Sequence, residues 1–434
     1  MERLFRLKEH NTTVRTELIA GLTTFMSMSY VLIVVPGLLA DAGMPKDAAV
    51  TSTILVSVLS TLLMALVANY PVALAPGLGL GAFFAYYVCG TLGLHWTVAL
   101  GAVFFSGVVF LLLTISGIRE AIINAVPASL KIAIGVGIGL YIAFTGVRSA
   151  GLVVGDHSTL VTLGSVKQPE AVLASLGFFL MCTLMAMNVR GAIVVGIIST
   201  TILSVVFGYS PMPQGLSDLI ITELPRFGET VGQLSIAEAW EFGILSIIFT
   251  FTIVEMFDNI GILVALTNRA GLVDEDGKIK NIGKALTADA LATIFSAFIG
   301  ASTVTSYAES ATGVEAGGKT GLTAVTVAAL FLVGLLFEPL IALVPPCATA
   351  PALVLVGALM MADIGKIDFR DLTDGVPCFL TIIMMPLTYS IANGFAFGFI
   401  SYAVLKTAAG RRREVSTLMW VISFAFFVNL WLRS

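Results

Sequence analysis

The sequence predicts an all-α polytopic membrane protein with fourteen membrane-spanning segments. Hydrophobic residues make up 57% of the 434 residues, charged residues make up only 12%, and the mean hydropathy is +0.99. A soluble domain carries about 25% charged residues. In addition, apolar runs of about 20 residues, the length that a helix needs to cross a bilayer, follow one another along the chain. This composition excludes a soluble enzyme and a soluble nucleic-acid-binding protein.

Most of the predicted spans are continuous apolar runs, and two are interrupted. The continuous spans lie near 18–37, 49–69, 96–116, 128–148, 170–188, 191–209, 243–266, 284–299, 321–338, 347–362, 375–391 and 393–408. The interrupted spans are span 3, at about 71–90, and span 10, at about 301–317; both contain proline, glycine or polar residues. A further apolar run, 416–432, is either a fifteenth span or a helix at the membrane interface.

The distribution of basic residues predicts that the N-terminus is cytoplasmic. With this orientation, 18 of the 23 Lys and Arg residues fall in cytoplasmic segments and four in outer segments. Such an excess on one side is typical of the cytoplasmic face of membrane proteins. The N-terminus lacks a short apolar segment of the kind that a signal peptidase removes. We therefore expect a multi-pass protein of the plasma (inner) membrane.

Span 10 contains the most informative residue, Glu309. It lies in the small, polar, glycine-rich segment Gly300–Gly321, between two apolar runs. Irregular backbone at membrane depth is tolerated only where protein buries it or where it lines a cavity. A carboxylate inside the membrane marks a functional site by default. We expect Glu309 to lie at the start of a half-helix, whose dipole stabilises its anionic form.

The two interrupted spans are related by an internal repeat. Ala68–Gly79 aligns with Gly300–Ala311, and each contains a short extended run, Val72–Ala75 or Val304–Tyr307, before a turn of small residues. Each half of the chain holds seven spans, an odd number, so the two copies must have opposite topology. Inverted repeats with paired discontinuous helices are typical of secondary transporters with a central binding site.

Two acidic residues share one face of span 8. Glu255 and Asp258 are separated by one helical turn in an otherwise apolar segment. Mutual repulsion and removal from water favour the protonated form of at least one of them. Asp258 is therefore the main candidate for proton coupling. Glu255 is either a gating residue or a structural one, and Asp258 could alternatively only form a hydrogen bond between helices.

Two glycine motifs resemble nucleotide-binding sequences but lack the required context. Gly313–Thr320 matches the G-x-x-x-x-G-K-[S/T] pattern, which needs a preceding strand in a soluble α/β domain. We interpret it as a cytoplasmic turn with Lys319 at the membrane surface. Gly135, Gly137 and Gly139 follow no strand and are better explained by close helix packing.

The sequence indicates no metal site, no disulfide framework and no enzymatic centre. It contains no C-x-x-C motif and no His/Cys cluster. The cysteines are far apart and mostly lie in apolar runs: Cys89, Cys182, Cys347 and Cys378. We therefore expect no cofactor and no enzymatic activity.

Four motifs resemble the AzgA-like branch of the nucleobase–cation symporters, the permeases for adenine, guanine and hypoxanthine in the wider xanthine/uracil permease family. They are R-T-E-L-I-A-G-L-T-T-F-M-S-M-S-Y at 15–30, the proline- and glycine-rich run 75–84, F-D-N-I-G at 257–261 and S-Y-A-E-S at 306–310. The similarity covers roughly 3 to 408. It implies a seven-plus-seven inverted repeat, with short antiparallel strands in spans 3 and 10 and a core domain that moves against a gate domain.

The resemblance implies domain boundaries and partners. The core (transport) domain would comprise 15–117 and 243–338, and the gate domain 118–210 and 339–410. A cytoplasmic basic loop and an extra apolar segment would follow at 411–434. The expected partners are a purine nucleobase, the lipid bilayer and a second copy of the chain bound through the gate domains, with no nucleic acid.

The resemblance also implies site residues. Glu309 matches the family's substrate-binding glutamate in span 10, and Asp258 its acidic residue in span 8. Tyr307 and Ala308 match the strand whose backbone amides help to hold the base. Gly81 is a departure, because the family usually has asparagine at this position; the exact substrate preference therefore stays open.

Two aromatic residues, Phe83 and Phe84, are further candidates for the substrate site. Aromatic faces stack on nucleobases, although most phenylalanines of membrane proteins face lipid or the protein core. The substrate-binding candidates are thus Glu309, Asp258, Tyr307, Ala308, Gly81, Phe83 and Phe84, and the proton-coupling candidates are Asp258, Glu309 and Glu255.

The function predicted from these observations is import of purine nucleobases, coupled to protons by alternating access. Sodium is the alternative coupling ion. A transporter of the same fold for xanthine, uracil or an anion is the second hypothesis, and a nucleotide-driven membrane protein is the third. The preferred purine, the oligomeric state and the placement of 416–432 stay undetermined at this level.

Overall fold

The computed structural model describes residues 2–117, 122, 125–213, 215, 219–221, 227–241, 245–272 and 279–433, and it is mainly helical. In the first half, the helices are α1 (Glu2–Phe5), α2 (Val14–Met28), α3 (Val31–Asp41), α4 (Lys46–Leu63), α5 (Leu78–Ala82), α6 (Trp96–Ile115), α7 (Ala128–Ser149), α8 (Pro169–Ala186) and α9 (Ala192–Val206). π-helical turns extend α4 through Met64–Ala68 and α5 through Phe83–Thr91.

The second half is also mainly helical. Its helices are α10 (Ile236–Glu241), α11 (Leu245–Arg269), α12 (Ile282–Ile299), α13 (Ser310–Glu315), α14 (Gly321–Gly334), α15 (Glu338–Ala342), α16 (Pro346–Met360), α17 (Leu372–Leu387), α18 (Ile391–Ala408) and α19 (Thr417–Arg433). The strands of the whole chain are β1 (Leu74–Pro76), β2 (Val153–Asp156), β3 (Leu160–Leu163) and β4 (Val304–Ser306).

Among the described residues, nine continuous helical segments are long and apolar enough to cross a membrane. The first, Val14–Asp41, combines α2 and α3, and the last, Ile391–Ala408, is α18. Five shorter apolar helices occupy other predicted spans or the C-terminal run: Leu78–Thr91, Ala192–Val206, Ile247–Phe257, Leu372–Leu387 and Thr417–Trp431. The predicted spans other than span 10 coincide with these helices. Span 10 instead holds β4 and the six-residue helix α13, and the count of fourteen stays a prediction.

The predicted strands in spans 3 and 10 are present and pair with each other. β1 and β4 run antiparallel, with Leu74 opposite Ser306 and Pro76 opposite Val304. The predicted extended run Val72–Ala75 starts two residues before β1 and ends one residue before it, because Pro76 belongs to the strand. Proline lacks the N–H donor but is tolerated in an edge strand.

A second two-stranded sheet, the hairpin β2–β3, was not predicted. It lies in the loop after α7, pairs Val153 with Leu163 and is mostly exposed. Asp156 closes its turn by accepting hydrogen bonds from the backbone N–H groups of Ser158 and Thr159, at 2.8 and 2.9 Å. These bonds lower the pKa of the Asp156 carboxyl. The residues of β3 alternate weakly in polarity, so period-two patterning gave no signal.

Close packing at glycines brings α7 against α16 and α17. A Cβ atom at Gly139 would lie 2.6 Å from Met360 Cβ, and one at Gly137 would lie 2.7 Å from Met385 Sδ. A Cβ atom at Gly135 would meet nothing within 4 Å. The prediction of close helix packing is therefore confirmed at Gly137 and Gly139 and wrong at Gly135.

The segment after α18 is fastened by an ion cluster. The buried Lys406 ammonium lies 2.8 Å from Asp374 Oδ2 and 2.9 Å from Glu414 Oε2. Arg411 lies 2.5 Å from Asp371 Oδ2 and also bonds Glu414. The Arg411 guanidinium, together with Thr373, holds the pKa of the Asp371 carboxyl well below its usual value. The cluster joins the start of α17, the end of α18 and the turn that leads into α19.

Candidate functional site

The two interrupted spans meet where β1 pairs with β4. Beyond the ladder, Gly77 N donates to Thr303 O at 2.9 Å and Tyr307 N donates to Ala73 O at 3.1 Å. Each strand is followed within a few residues by a short helix, α5 or α13. The two interruptions predicted from sequence are therefore in direct contact.

Side chains from neighbouring helices satisfy backbone groups that this two-stranded sheet leaves unpaired. Thr61 Oγ1 accepts from Leu74 N at 3.0 Å, and Asn259 Oδ1 accepts from Ser306 N at 3.2 Å. Thr293 Oγ1 accepts from Val304 N at 3.3 Å. Backbone groups without water must find partners inside the protein, so these residues make the irregular backbone tolerable.

Glu309 directly precedes α13, as predicted. Its side chain is half-buried, and its Oε1 accepts a hydrogen bond from Tyr30 Oη at 2.5 Å. The neighbouring Ala308 is exposed although the strand before it is buried. Glu309 therefore stands where the buried strand ends and an open space begins.

A cavity of about 100 Å³ adjoins Glu309. Its lining combines residues of the two broken spans, aliphatic side chains of α7, α11 and α16, and Tyr30 of the first span. The residues of the broken spans are Leu78, Gly79, Thr305, Ser306, Tyr307, Ala308 and Glu309, and the aliphatic ones are Ile138, Ile142, Ile262, Val356 and Met360. Such a mixture, mostly apolar with a few convergent polar groups, is typical of small-molecule sites.

Two larger cavities, each of about 500 Å³, share lining residues with this one. The first contains Glu309, Ser27 and Thr312 together with Asn188 and Arg190. The second is lined by Ala308, Ile138 and Met360 near the small cavity, and by charged residues elsewhere: Lys131, Arg269 and Asp363. The basic residues of both cavities, Arg190, Lys131 and Arg269, lie in segments that the sequence assigns to the cytoplasmic side.

The backbone of Tyr307 is already used by the fold. Its N–H pairs with Ala73 O, and its phenol donates to Pro76 O at 2.7 Å. Tyr307 thus connects the two broken spans through hydrogen bonds, and it also lines the small cavity. Ala308 lines both the small cavity and one of the large ones.

Three candidates from span 3 lie away from the small cavity. Phe83 and Phe84 are fully buried, and Phe83 packs on Tyr87 and Phe251 with ring centroids 5.1 and 5.2 Å apart. Gly81 is also buried, and a Cβ atom there would lie 3.5 Å from Ser302 Oγ. In the described part of the chain, none of the three predicted residues lines the cavity beside Glu309.

The two acidic residues of span 8 lie in α11. Glu255 is fully buried, and its Oε1 accepts from Thr293 Oγ1 at 2.5 Å. Because Thr293 also bonds Val304 N, Glu255 is linked to β4. The backbone of Asp258 belongs to α11, but its side chain lies outside the described residues.

The turn that resembles a phosphate-binding loop holds a carboxylate of the protein itself. Glu17 is fully buried in the first turn of α2. Its carboxylate accepts from the backbone N–H groups of Lys319, Thr320 and Thr323 at 3.0, 3.3 and 3.2 Å, and from Thr323 Oγ1 at 2.6 Å. The N–H groups that would bind a phosphate at a helix N-terminus are thus occupied, which agrees with the interpretation as a structural turn.

Sequence reasoning did not assign Tyr30, Asn259 or Thr293 to the site. Tyr30 belongs to the M-S-M-S-Y string used for the family resemblance, and Asn259 belongs to F-D-N-I-G. A polar residue inside an apolar run was the available signal. Hydroxyl and amide groups are common in membrane helices, however, so this signal does not identify a partner.

Comparisons with known proteins agree with this architecture. Residues 15–428 match the model of the Permease family of xanthine and uracil permeases. The chain is 41% identical over 433 residues to the adenine permease AdeP of Escherichia coli (strain K12), covering 99% of this chain and 96% of the relative. It is 40% identical over 441 residues to the guanine/hypoxanthine permease PbuO of Bacillus subtilis (strain 168), covering 99% and 100%.

Among solved structures, the transmembrane domain of a cyanobacterium bicarbonate transporter, BicA, is similar with a TM-score of 0.64. The identity is 16%, over 91% of this chain and 97% of that domain. At this identity the similarity concerns the fold. The chain is thus a multi-pass membrane protein with a transporter fold.

Proposed function

The chain belongs to the xanthine/uracil permease family, and on that premise we propose that it imports purine nucleobases by secondary active transport. The names of its relatives, adenine permease and guanine/hypoxanthine permease, support a purine rather than a pyrimidine. They are transporters by name and not enzymes. We place the protein in the plasma (inner) membrane with a cytoplasmic N-terminus.

The observation that carries the proposal is the position of Glu309 at the joint of the two broken spans, beside a cavity. A purine base is flat and neutral, and it presents N–H donors and ring-nitrogen or carbonyl acceptors. A carboxylate accepts hydrogen bonds from N–H groups. Glu309 supplies such an acceptor, and Leu78, Ile138 and Ile142 supply apolar surface for the faces of the ring.

We further propose that transport proceeds by alternating access between a core domain, 15–117 with 243–338, and a gate domain, 118–210 with 339–410. Helix packing supports this division, because α2 packs on α13 and α14, whereas α7 packs on α16 and α17. All three cavities near Glu309 are lined by residues of both proposed domains. A site between two bodies is exposed to alternate sides when they move relative to each other.

Proton coupling is assigned to Asp258, with Glu309 and Glu255 as further candidates. The supporting observation is that Glu255 is buried and linked through Thr293 to β4. Protonation of an acid in this network would change its charge inside an apolar helix and so alter the energy of the empty carrier. Sodium is the alternative coupling ion. We also propose a homodimer formed through the gate domains.

The test is an uptake panel in cells that lack their own purine transporters. Labelled adenine, guanine, hypoxanthine, xanthine and uracil are offered with and without a protonophore, and with sodium replaced by potassium. We expect uphill accumulation of at least one of the first three bases, abolished by the protonophore and unaffected by the cation. Accumulation of none of the bases would refute nucleobase import, and loss of uptake only in potassium would assign coupling to sodium.

The assignment of Asp258 is tested separately by Asp258→Asn. Asparagine keeps the size of the side chain but cannot exchange a proton. Accumulation driven by a pH gradient should disappear, whereas exchange of internal for external base should persist, because exchange does not require return of the empty carrier. Accumulation at the wild-type level would move the coupling role to Glu309, Glu255 or a bound cation.

A further inference from the structure

Tyr30 lies at the break between α2 and α3 in the first span. α2 ends at Met28 and α3 begins at Val31, so the phenol projects from a turn inside the membrane segment. The residue is fully buried by the protein, and its Oη donates to Glu309 Oε1 at 2.5 Å. Tyr30 also lines the small cavity. A residue 279 positions away in the sequence therefore contacts the proposed base acceptor.

This hydrogen bond restricts the orientation of the Glu309 carboxylate. An ionised carboxylate offers about four lone-pair sites on two oxygens, and its terminal torsion is otherwise broad. A phenol O–H that donates to an ionised acceptor forms one of the strong hydrogen bonds of proteins. The hydrogen bond occupies one lone pair of Oε1 and fixes the plane of the carboxylate. The remaining lone pairs then point in defined directions and are available to a ligand.

The helix that precedes Tyr30, α2, packs closely against α13. Ser27 Oγ lies 3.1 Å from Thr312 Oγ1. A Cβ atom at Gly313 would collide with Thr24 and lie 2.7 Å from Ala20 O. α2 and α13 are therefore in close contact on the side that leads to Tyr30. Because these two helices are closely packed, the position of the Tyr30 phenol relative to Glu309 is fixed. Its hydrogen bond can therefore hold the Glu309 carboxylate at a defined angle.

We propose that Tyr30 is a positioning residue of the nucleobase site, which acts by orienting the Glu309 carboxylate toward the bound base. The proposal rests on the proposed function. Tyr30 would stabilise the free site in its binding geometry, so the base need not order the carboxylate on binding. Such pre-organisation lowers the cost of association.

The test compares Tyr30→Phe with Tyr141→Phe in purified protein. Both changes remove one hydroxyl from a fully buried tyrosine, and Tyr141 Oη has no hydrogen-bond partner among the described residues. The probe is labelled adenine, guanine or hypoxanthine, whichever the wild-type protein binds most tightly. We expect Tyr30→Phe to raise Kd about tenfold, equivalent to about 1.4 kcal/mol, with an unchanged number of sites. Tyr141→Phe should leave Kd unchanged.

Separate measurements distinguish this role from a merely structural one. A structural defect would lower the number of binding sites and the melting temperature of the base-free protein, while the remaining sites kept the wild-type Kd. That result, or an unchanged Kd with unchanged site number, would overturn the positioning role. If the wild-type protein binds none of the purines, the proposed function fails first; if it binds one and Tyr30→Phe binds equally well, only this inference fails.

Discussion

At the residue scale, the proposed function depends on a carboxylate in a mainly apolar cavity lining. Glu309 is held on one side by the Tyr30 phenol, and it borders both the small cavity and one of the larger ones. An ionised carboxylate can accept hydrogen bonds but cannot donate them. Any replacement that introduces an N–H group would oppose the N–H donors of a base.

We expect Glu309→Gln to weaken purine binding tenfold or more while the protein still reaches the membrane. Glutamine keeps one oxygen, but it loses the charge and adds a donor; hydrogen bonds to charged groups contribute about 1.5–3 kcal/mol. Equilibrium binding of labelled base measures the effect. The matched control is Glu315→Gln, in the same short segment, where the carboxylate is exposed and pairs with Arg269 at 2.9 Å.

Binding by Glu309→Gln within about twofold of the wild type would contradict the role of Glu309 as an anionic acceptor. A similar loss in both variants would instead indicate a general effect of charge at the cytoplasmic entrance. The Glu315→Gln control distinguishes these two explanations, because Glu309 and Glu315 line the same larger cavity.

At the element scale, the spacing between helices is set by residues without side chains. α7 approaches α16 so closely that a Cβ atom at Gly139 would lie 2.8 Å from Gly357 O. One turn earlier, Gly135 faces open space. A glycine motif in one helix thus has two different structural roles.

Gly139→Ala should destabilise the protein by about 1–3 kcal/mol, because overpacking displaces the neighbouring helix. Gly135→Ala should be neutral or slightly stabilising, since alanine is favoured over glycine in a helix by about 0.5–1 kcal/mol. Melting temperatures of the two purified variants test this pair. Equal melting temperatures would show that α7 and α16 can separate without cost.

The turn between α13 and α14 depends on Glu17. Glu17→Ala would leave three backbone N–H groups, two of them buried, and a buried threonine hydroxyl without their acceptor. Each loss at a buried group costs about 1–3 kcal/mol. We expect a lower melting temperature for this variant. Lys319→Ala should have little effect, because only its backbone N–H takes part in the turn.

The Lys319→Ala variant also tests the nucleotide-driven alternative. Uptake by Lys319→Ala should equal that of the wild type, and the purified protein should not hydrolyse ATP. Hydrolysis that disappears in Lys319→Ala would show that the turn binds phosphate in spite of Glu17.

At the scale of the whole molecule, the larger cavities and the outer hairpin should face opposite sides of the membrane. Ala316 lines the cavity that contains Glu309, and Thr162 is exposed on β3. Ala316→Cys should react with a membrane-impermeant maleimide in inside-out vesicles, and Thr162→Cys only in right-side-out cells. Labelling of both from the same side would refute the proposed orientation. Protection of Ala316→Cys by a bound base would link this cavity to the transport cycle.

The sequence alone determined the membrane class, the positions of the helices and the two interruptions. Hydrophobicity and helix breaking are local properties, so the contrast between apolar runs and the segment Gly300–Gly321 is sufficient to place them. The start of α13 directly after Glu309 was predicted from the same local signal, the helix-breaking segment before it. Pro76 was the local exception, because its place in β1 depends on a partner strand elsewhere in the chain.

Only the tertiary structure decided which groups meet around Glu309. Tyr30 and Glu309 are separated by 279 positions, and Glu17 and Thr323 by 306. Phe83 and Phe84 are aromatic residues of the kind that stack on bases, yet both are buried in the protein core. Contacts of this kind depend on how helices distant in sequence pack together, and neither hydrophobicity nor spacing along one helix carries that information.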